Sequence, residues 1–213
     1  MSRPAGPLVP EVVGRSFFDR PAEVVAPELL GCVFTHVSAE GPVGVRLTEV
    51  EAYEGERDPA SHAFRGRTAR NAVMFGPPGY AYVYFTYGMH FCVNLVCLGE
   101  GTASAVLLRA GEVVEGVDLA RARSRPGAPV RDLARGPARL TKALGIGRDL
   151  NGADVCGVAG PLRLYAPEPG GSATVEVGPR TGVAAAPDVP WRFALAGEPT
   201  VSPYRRHAPR NRR

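Results

Sequence analysis

The segment Val43-Gly-Val-Arg-Leu-Thr-Glu-Val-Glu-Ala-Tyr53 constrains this chain more than any other. Its odd positions Val43, Val45 and Leu47 form one apolar face of a period-two strand, and Glu49, Glu51 and Tyr53 continue on that face. Two carboxylates therefore point where a core should be. Burying an unpaired carboxylate is costly, so this end of the strand must run into a polar cleft or meet cationic partners. Pattern alone leaves both readings open, a working cleft or ordinary ion pairs.

Tyr80, Tyr82 and Tyr84 share one face of a later segment, and Tyr87-Gly88-Met89-His90 follows before Phe91, Val93 and Leu95 resume an alternating pattern. This predicts a hairpin turning near Gly88, because glycine supplies the positive φ that such turns need. Tyr87, Met89 and His90 then sit at or beside its tip, where aromatic and apolar side chains can wedge into a base stack. Tyr80 and Tyr82 read instead as core.

A chain of 213 residues is long enough for one well-buried core and short for two. With 45% hydrophobic and 22% charged residues, its composition is that of an ordinary soluble globular protein. The net charge of +4 conceals an asymmetry, because Arg205, Arg206, Arg210, Arg212 and Arg213 crowd the end of the chain. Such a tail adds salt-sensitive phosphate affinity or is simply solvated. No run reaches the length of an apolar membrane span, and Met1 to Gly14 lacks the layout of a secretory signal, so neither membrane nor export is expected. The expected location is the cytoplasm or nucleoid, or the nucleus in a eukaryote. Cys32, Cys92, Cys97 and Cys156 form no CxxC pair and read as reduced thiols, mainly buried. His36, His62, His90 and His207 are scattered too, so no metal and no cofactor is expected.

Residues 1–14 hold three prolines and are expected to be disordered, leaving one domain over 15–203 and a basic tail over 204–213. Asp19 is placed to cap a short turn at Arg20-Pro21, and Pro27 to Gly31 reads as a second helical turn. Strands are expected at Val33–Val37, Val43–Tyr53, Ala81–Tyr87, Phe91–Cys97, Ala105–Ala110, Leu162–Tyr165, Thr174–Val177 and Arg192–Leu195. Helices are expected over Glu115–Arg123 and Pro137–Leu144, the latter closed by Gly145. Together these make an α+β fold: a single domain with a curved antiparallel β-sheet, peripheral helices and a protruding β-hairpin. Thr68, Arg70 and Asn71, at the start of an irregular connection, are placed to meet a backbone phosphate.

Thr48 to Tyr53, Ser61-His62, Arg70-Asn71, Met74-Phe75, Tyr82 to Asn94 and Val106 to Ala110 together resemble the 3-methyladenine (alkyladenine) DNA glycosylases. The resemblance runs from about Phe17 to Ser202, with weaker echoes in Arg135 to Leu140, Pro161-Leu162 and Trp191-Arg-Phe193. It implies a partner, duplex DNA containing damaged purines, and an enzyme acting as a monomer. Such an enzyme cannot reach the base–sugar bond inside a stacked duplex, so it must extrude the nucleotide at a cost of a few kcal/mol.

By the resemblance, Glu51 is the general base that activates water and Arg109 the partner that orients it. Arg109 as a counter-ion for Glu49 stays open. Tyr53 on one side, and His62 with Tyr84 on the other, are implied to sandwich the base. Asn94 is implied to crowd the exocyclic amine of guanine, with backbone groups of Ala60 and His62 reading the base edge. Tyr87 is the implied intercalating residue, flanked by Met89 and His90, and Arg139 joins Thr68 and Arg70 as a contact to the DNA backbone. The only lysine is Lys142, well downstream, and the residue after Met1 is Ser2, so no amine is expected to form a Schiff base. The expectation is a monofunctional enzyme. One alternative is a lesion-probing DNA-binding protein without catalysis, against which the presence of both Glu51 and Arg109 speaks; another is an RNA-binding or tRNA-modifying module, which a preference for single-stranded RNA over damaged duplex DNA would reveal.

Overall fold

β-Branched and aromatic residues dominate the strand-forming segments, and among the described residues they build one eight-stranded sheet. The computed structural model describes residues 11–86, 88–167 and 173–208. The strands are β1 (Val33–Ser38), β2 (Gly41–Tyr53), β3 (Ala81–Thr86), β4 (His90–Val96), β5 (Ala105–Glu115), β6 (Leu162–Tyr165), β7 (Val175–Gly178) and β8 (Arg192–Leu195). They run in the order β3-β4-β5-β2-β1-β6, with β8 pairing β2 and β7 off that path, and all pairs are antiparallel. Helices α1 (Ala22–Glu28), α2 (Val117–Ala122) and α3 (Pro137–Leu144) complete a single α+β domain on a curled antiparallel sheet.

The sheet has two unlike faces. On one, Ala81, Val83, Val93, Leu95, Val106 and Leu108 meet Val25 and Leu29 beneath α1 and Leu140 and Leu144 of α3. Each fully buried Val, Leu or Phe there contributes about 1.5–3 kcal/mol, so this face holds the domain together. The other face carries a smaller apolar cluster that includes Ala63, Met74, Phe75, Tyr82 and Val96. Strict alternation along β3 and β4 sends Tyr82, Tyr84 and Asn94 to this second side.

In β2 the alternation breaks, which corrects the expectation from sequence. Leu47 faces Gly111 and Glu49 faces Ala110, so Thr48 is an extra residue on β2; Val50 then faces Leu108, so Arg109 is an extra residue on β5. A bulge advances the side-chain alternation by one position. Val43, Val45 and Leu47 reach the core from odd positions, but Val50 and Ala52 reach it from even ones. Glu49, Glu51 and Tyr53 therefore do not continue the Val43 face; they turn to the opposite side, and the bulged Arg109 turns with them. Gly111 permits this approach, since a Cβ there would stand 2.4 Å from both the Arg46 carbonyl oxygen and Val45 Cγ1.

Other expectations also shift. β5 continues past Ala110 to Glu115 because its partner β2 is long enough to pair Val45 with Val113 and Gly44 with Glu115, which delays the helix to Val117. Asp19 does not cap a helix. One helix starts after Pro21 without a side-chain cap and carries Pro27 inside it, a cost of about 3 kcal/mol offset by buried Val25, Ala26 and Leu29. Residues 11–14, expected to be disordered, line the edge of β6: the Val13 N–H donates to the Leu164 carbonyl at 2.8 Å, and the Ala166 N–H donates to that of Glu11 at 2.9 Å. Residues 1–10 lie outside the described residues. Among the described residues no helix is long and apolar enough to cross a membrane.

Candidate active site

The two turned carboxylates are buried, and each accepts hydrogen bonds on both of its oxygens. Glu49 and Glu51 are both 0% exposed. Arg109 spans them, its Nε donating to Glu49 Oε1 at 2.7 Å and its Nη1 to Glu51 Oε2 at 3.1 Å. Arg109 thus bonds to both carboxylates at once. Glu49 also accepts from Arg192 Nε at 2.7 Å and from the Ser202 N–H at 2.7 Å. Burial alone would raise the Glu49 pKa, but Arg109, the Ser202 N–H and Arg192 together hold it below the ordinary carboxylate value. Burial likewise opposes the charge on Arg109, yet Glu51 and Glu49 outweigh it and raise its pKa, so this guanidinium stays charged.

Glu51 is held differently. Its Oε2 accepts from the Tyr53 hydroxyl at 2.9 Å as well as from Arg109, while its Oε1 accepts only the Thr181 N–H at 2.6 Å. A carboxylate oxygen has two lone pairs, so Oε2 is saturated and Oε1 keeps one free site. That free site can take a proton from a bound water.

Beside Glu51 lies a pocket lined by Tyr53, Ala60, His62, Met74, Tyr84 and Asn94. Tyr53 comes from the end of β2, Tyr84 and Asn94 from β3 and β4, and Ala60 and His62 from the loop after β2. Asp58 shapes this loop by accepting the Ala60 N–H at 3.0 Å, and Asn71 pins it by donating to the His62 carbonyl at 2.9 Å. Tyr82 and Tyr84 stack with centroids 5.2 Å apart, and the His62 ring meets Tyr84 edge-on at 4.6 Å and 82°. His62 and Tyr84 therefore present an edge and a face, not one continuous wall. Desolvation of its packed side, with Arg70 adding to it, lowers the His62 pKa and favours the neutral ring. Burial, then Glu51, raises the Tyr53 pKa well above that of a free phenol, so its hydroxyl stays a donor. The Asn94 side chain is 5% exposed, and its Oδ1 has no hydrogen-bond partner among the described residues.

A wider groove adjoins the other flank of Glu51, lined among others by His90, Arg109, Arg135, Arg139, Thr181 and Arg205. Arg139 is exposed on the first turn of α3. Thr68 and Arg70 are exposed as well, but Asn71 is 2% exposed and its amide is spent on the His62 and Gly66 carbonyls, so it is not free to meet a phosphate. Met89 is 68% exposed, His90 is exposed, and Tyr87 lies outside the described residues. The basic tail is not wholly separate from the site: the Gly182 N–H donates to the Arg205 carbonyl at 2.8 Å, next to Thr181. Sequence reasoning assigned no role to Met74, Thr181, Arg192 or Ser202. Arg192 and Ser202 lay within segments that carried the resemblance, whereas Thr181 acts through a backbone N–H that any residue but proline supplies.

A carboxylate with one free lone pair, beside a slot for a flat ring, is the equipment of a hydrolase that parts a base from its sugar. Residues 16–199 match the family model described as methylpurine-DNA glycosylase (MPG). The chain belongs to that family, and it is a DNA glycosylase, a hydrolase acting on N-glycosyl bonds. Among its relatives is a protein of Streptomyces avermitilis, 57% identical over 201 residues that cover 93% of this chain and 94% of the relative. Another, of Leifsonia xyli subsp. xyli, is 56% identical over 203 residues, 91% of this chain and 93% of its own. A third, of Burkholderia lata, is 48% identical over 191 residues, 90% and 91% respectively. All three are provisionally named 3-methyladenine DNA glycosylases.

Proposed function

We propose that this enzyme extrudes alkylated or deaminated purines (3-methyladenine, 7-methylguanine, hypoxanthine, ethenoadenine) from duplex DNA and hydrolyses the N-glycosidic bond, leaving an abasic site. The observation that carries this reading is the free lone pair on Glu51 Oε1, set between the aromatic pocket and the groove lined by Arg109. The purine enters the pocket against Tyr53, His62 and Tyr84, and its sugar stands at the junction above Glu51. Water held by Oε1 gives up its proton there and attacks the anomeric carbon, while the carboxylate stabilises the oxocarbenium-like charge. Arg109, already bonded to Oε2, keeps the carboxylate oriented.

Asn94 at the pocket wall crowds the amine of guanine, and the backbone groups of Ala60 and His62 read the base edge. Tyr87, flanked by Met89 and His90 on a protruding turn, fills the vacated stack. Thr68, Arg70 and Arg139 meet backbone phosphates, helped by Arg135 and Arg205 along the groove. Lys142 sits in the last turn of α3 and lines neither the pocket nor the groove beside Glu51, in keeping with a monofunctional hydrolase. The enzyme acts as a monomer where the genome lies. The test is base release from duplexes carrying each of the four lesions; release of free base with no strand cleavage before alkali supports the reading, and lesion binding without release overturns it in favour of a non-catalytic lesion-probing protein.

A further inference from the structure

Arg180 is 1% exposed, and so is its partner Asp58. Two bonds join them, Nη1 to Oδ2 at 2.5 Å and Nη2 to Oδ1 at 2.8 Å. A sealed ion pair is a poor source of stability, because desolvation offsets the attraction and apolar side chains of similar volume often serve as well. Here the cost is raised further, since Arg180 Nε is buried with no hydrogen-bond partner among the described residues.

Several of the remaining contacts of the pair lead to the active site. Arg180 Nη1 also donates to the carbonyl of Ala52, the residue between Glu51 and Tyr53, at 3.0 Å. Its guanidinium carbon lies 4.6 Å from the Tyr53 ring centroid and 5.2 Å from that of Trp191. The next residue, Thr181, donates its N–H to Glu51 Oε1 at 2.6 Å. Asp58 accepts the N–H of Ala60 at 3.0 Å and that of Glu54 at 3.3 Å. One ion pair thus ties together the end of β2, the loop that carries Ala60 and His62, and the segment that carries Thr181. Arg180 covers one face of Tyr53 without lining the pocket, which leaves the opposite face for a base.

We propose that Arg180 and Asp58 are positioning residues for base excision: the pair backs Tyr53 and sets the Thr181 amide against Glu51, fixing the stacking wall and the carboxylate at one separation. The inference rests on Glu51 being the base. Loosening the pair lets Tyr53 tilt and Glu51 Oε1 turn, which slows chemistry while the exposed surface still holds the duplex.

The test compares single-turnover base release and affinity for an abasic-analogue duplex in the wild type, Arg180→Lys and the paired variant Arg180→Met/Asp58→Leu. Melting temperature is followed alongside, with emission from Trp191, the only tryptophan. A small misplacement of reacting groups costs up to about 100-fold, so both variants are expected to lose roughly 10- to 100-fold in rate. Affinity should stay within about threefold, with Trp191 emission shifted. A folded variant that keeps its rate within about twofold overturns the proposal, as does a rate loss matched by an equal loss of affinity. Should the paired variant fail to fold, Arg180→Lys decides by the same criteria. Glu51→Gln in the same assay separates the two readings. Activity retained there removes the base assignment, whereas an inactive Glu51→Gln beside a fully active Arg180→Lys removes only the positioning pair.

Discussion

Glu51, near the end of β2, is 0% exposed with donors on both oxygens, whereas Met89, in the turn between β3 and β4, is 68% exposed. Both belong to one sheet, and the difference follows from what each place must do. A group that takes a proton from water works best when its partners are already in position, because nothing then has to reorganise during the reaction. A side chain that enters a base stack must stand free until DNA arrives, and it gains its contacts only then. The buried end should therefore govern rate and the exposed turn should govern binding.

Glu51→Gln offers the sharpest break in that comparison. The amide keeps the shape but cannot accept the proton, so single-turnover release should fall by about 10²–10⁴-fold while duplex affinity is unchanged. A variant retaining most of its rate would take Glu51 out of the base role. Tyr87→Ser tests the other side. Base stacking is worth about 1–3 kcal/mol, so affinity for an abasic-analogue duplex should weaken by roughly one to two decades, with less effect on a base already extruded. Unchanged affinity would leave Tyr87 without the wedge role.

Glu49→Gln should divide the buried end itself. Glu49 bonds to Arg109, Arg192 and Ser202 and to none of the residues that line the aromatic pocket, so the rate should drop far less than for Glu51→Gln, while leaving Arg109 and Arg192 under-compensated destabilises the fold by about 3 kcal/mol. Its folded pKa lies below the ordinary carboxylate value, so its stabilisation is present above about pH 4.3 and is lost as pH falls through the lowered value. Acid unfolding of Glu49→Gln should accordingly show a shallower pH dependence than the wild type; an identical curve would argue against a charged Glu49. The smallest effect is expected from the tail. Deleting residues 209–213 removes Arg210, Arg212 and Arg213, which should weaken damaged and undamaged duplex alike and flatten the salt dependence by up to about three contacts, with the rate intact. Deletion from Tyr204 also removes the carbonyl that holds Gly182, so it should slow release as well. Equal rates for the two truncations would show that this contact does not reach Glu51.

Strict period-two strands were legible without the structure. β3 and β4 keep their alternation, and Tyr84 and Asn94 reach the same pocket as Tyr53, Ala60 and His62, residues first brought together by the resemblance of short segments. α3 and its closing Gly145 were equally plain, since proline at the start and glycine after the end act locally. The direction of the two glutamates was not legible. A bulge depends on the register of the partner strand, and nothing local to Thr48 or Arg109 marks either as the extra residue. The partners that make burial of both carboxylates tolerable come from Arg109, Thr181, Arg192 and Ser202, far along the chain. The chain by itself determined which chemical groups are available and that two carboxylates would need compensation. Only the tertiary pairing decided which way they face and that Thr181 meets Glu51 while Arg192 and Ser202 meet Glu49, because both depend on contacts between residues that no local pattern relates.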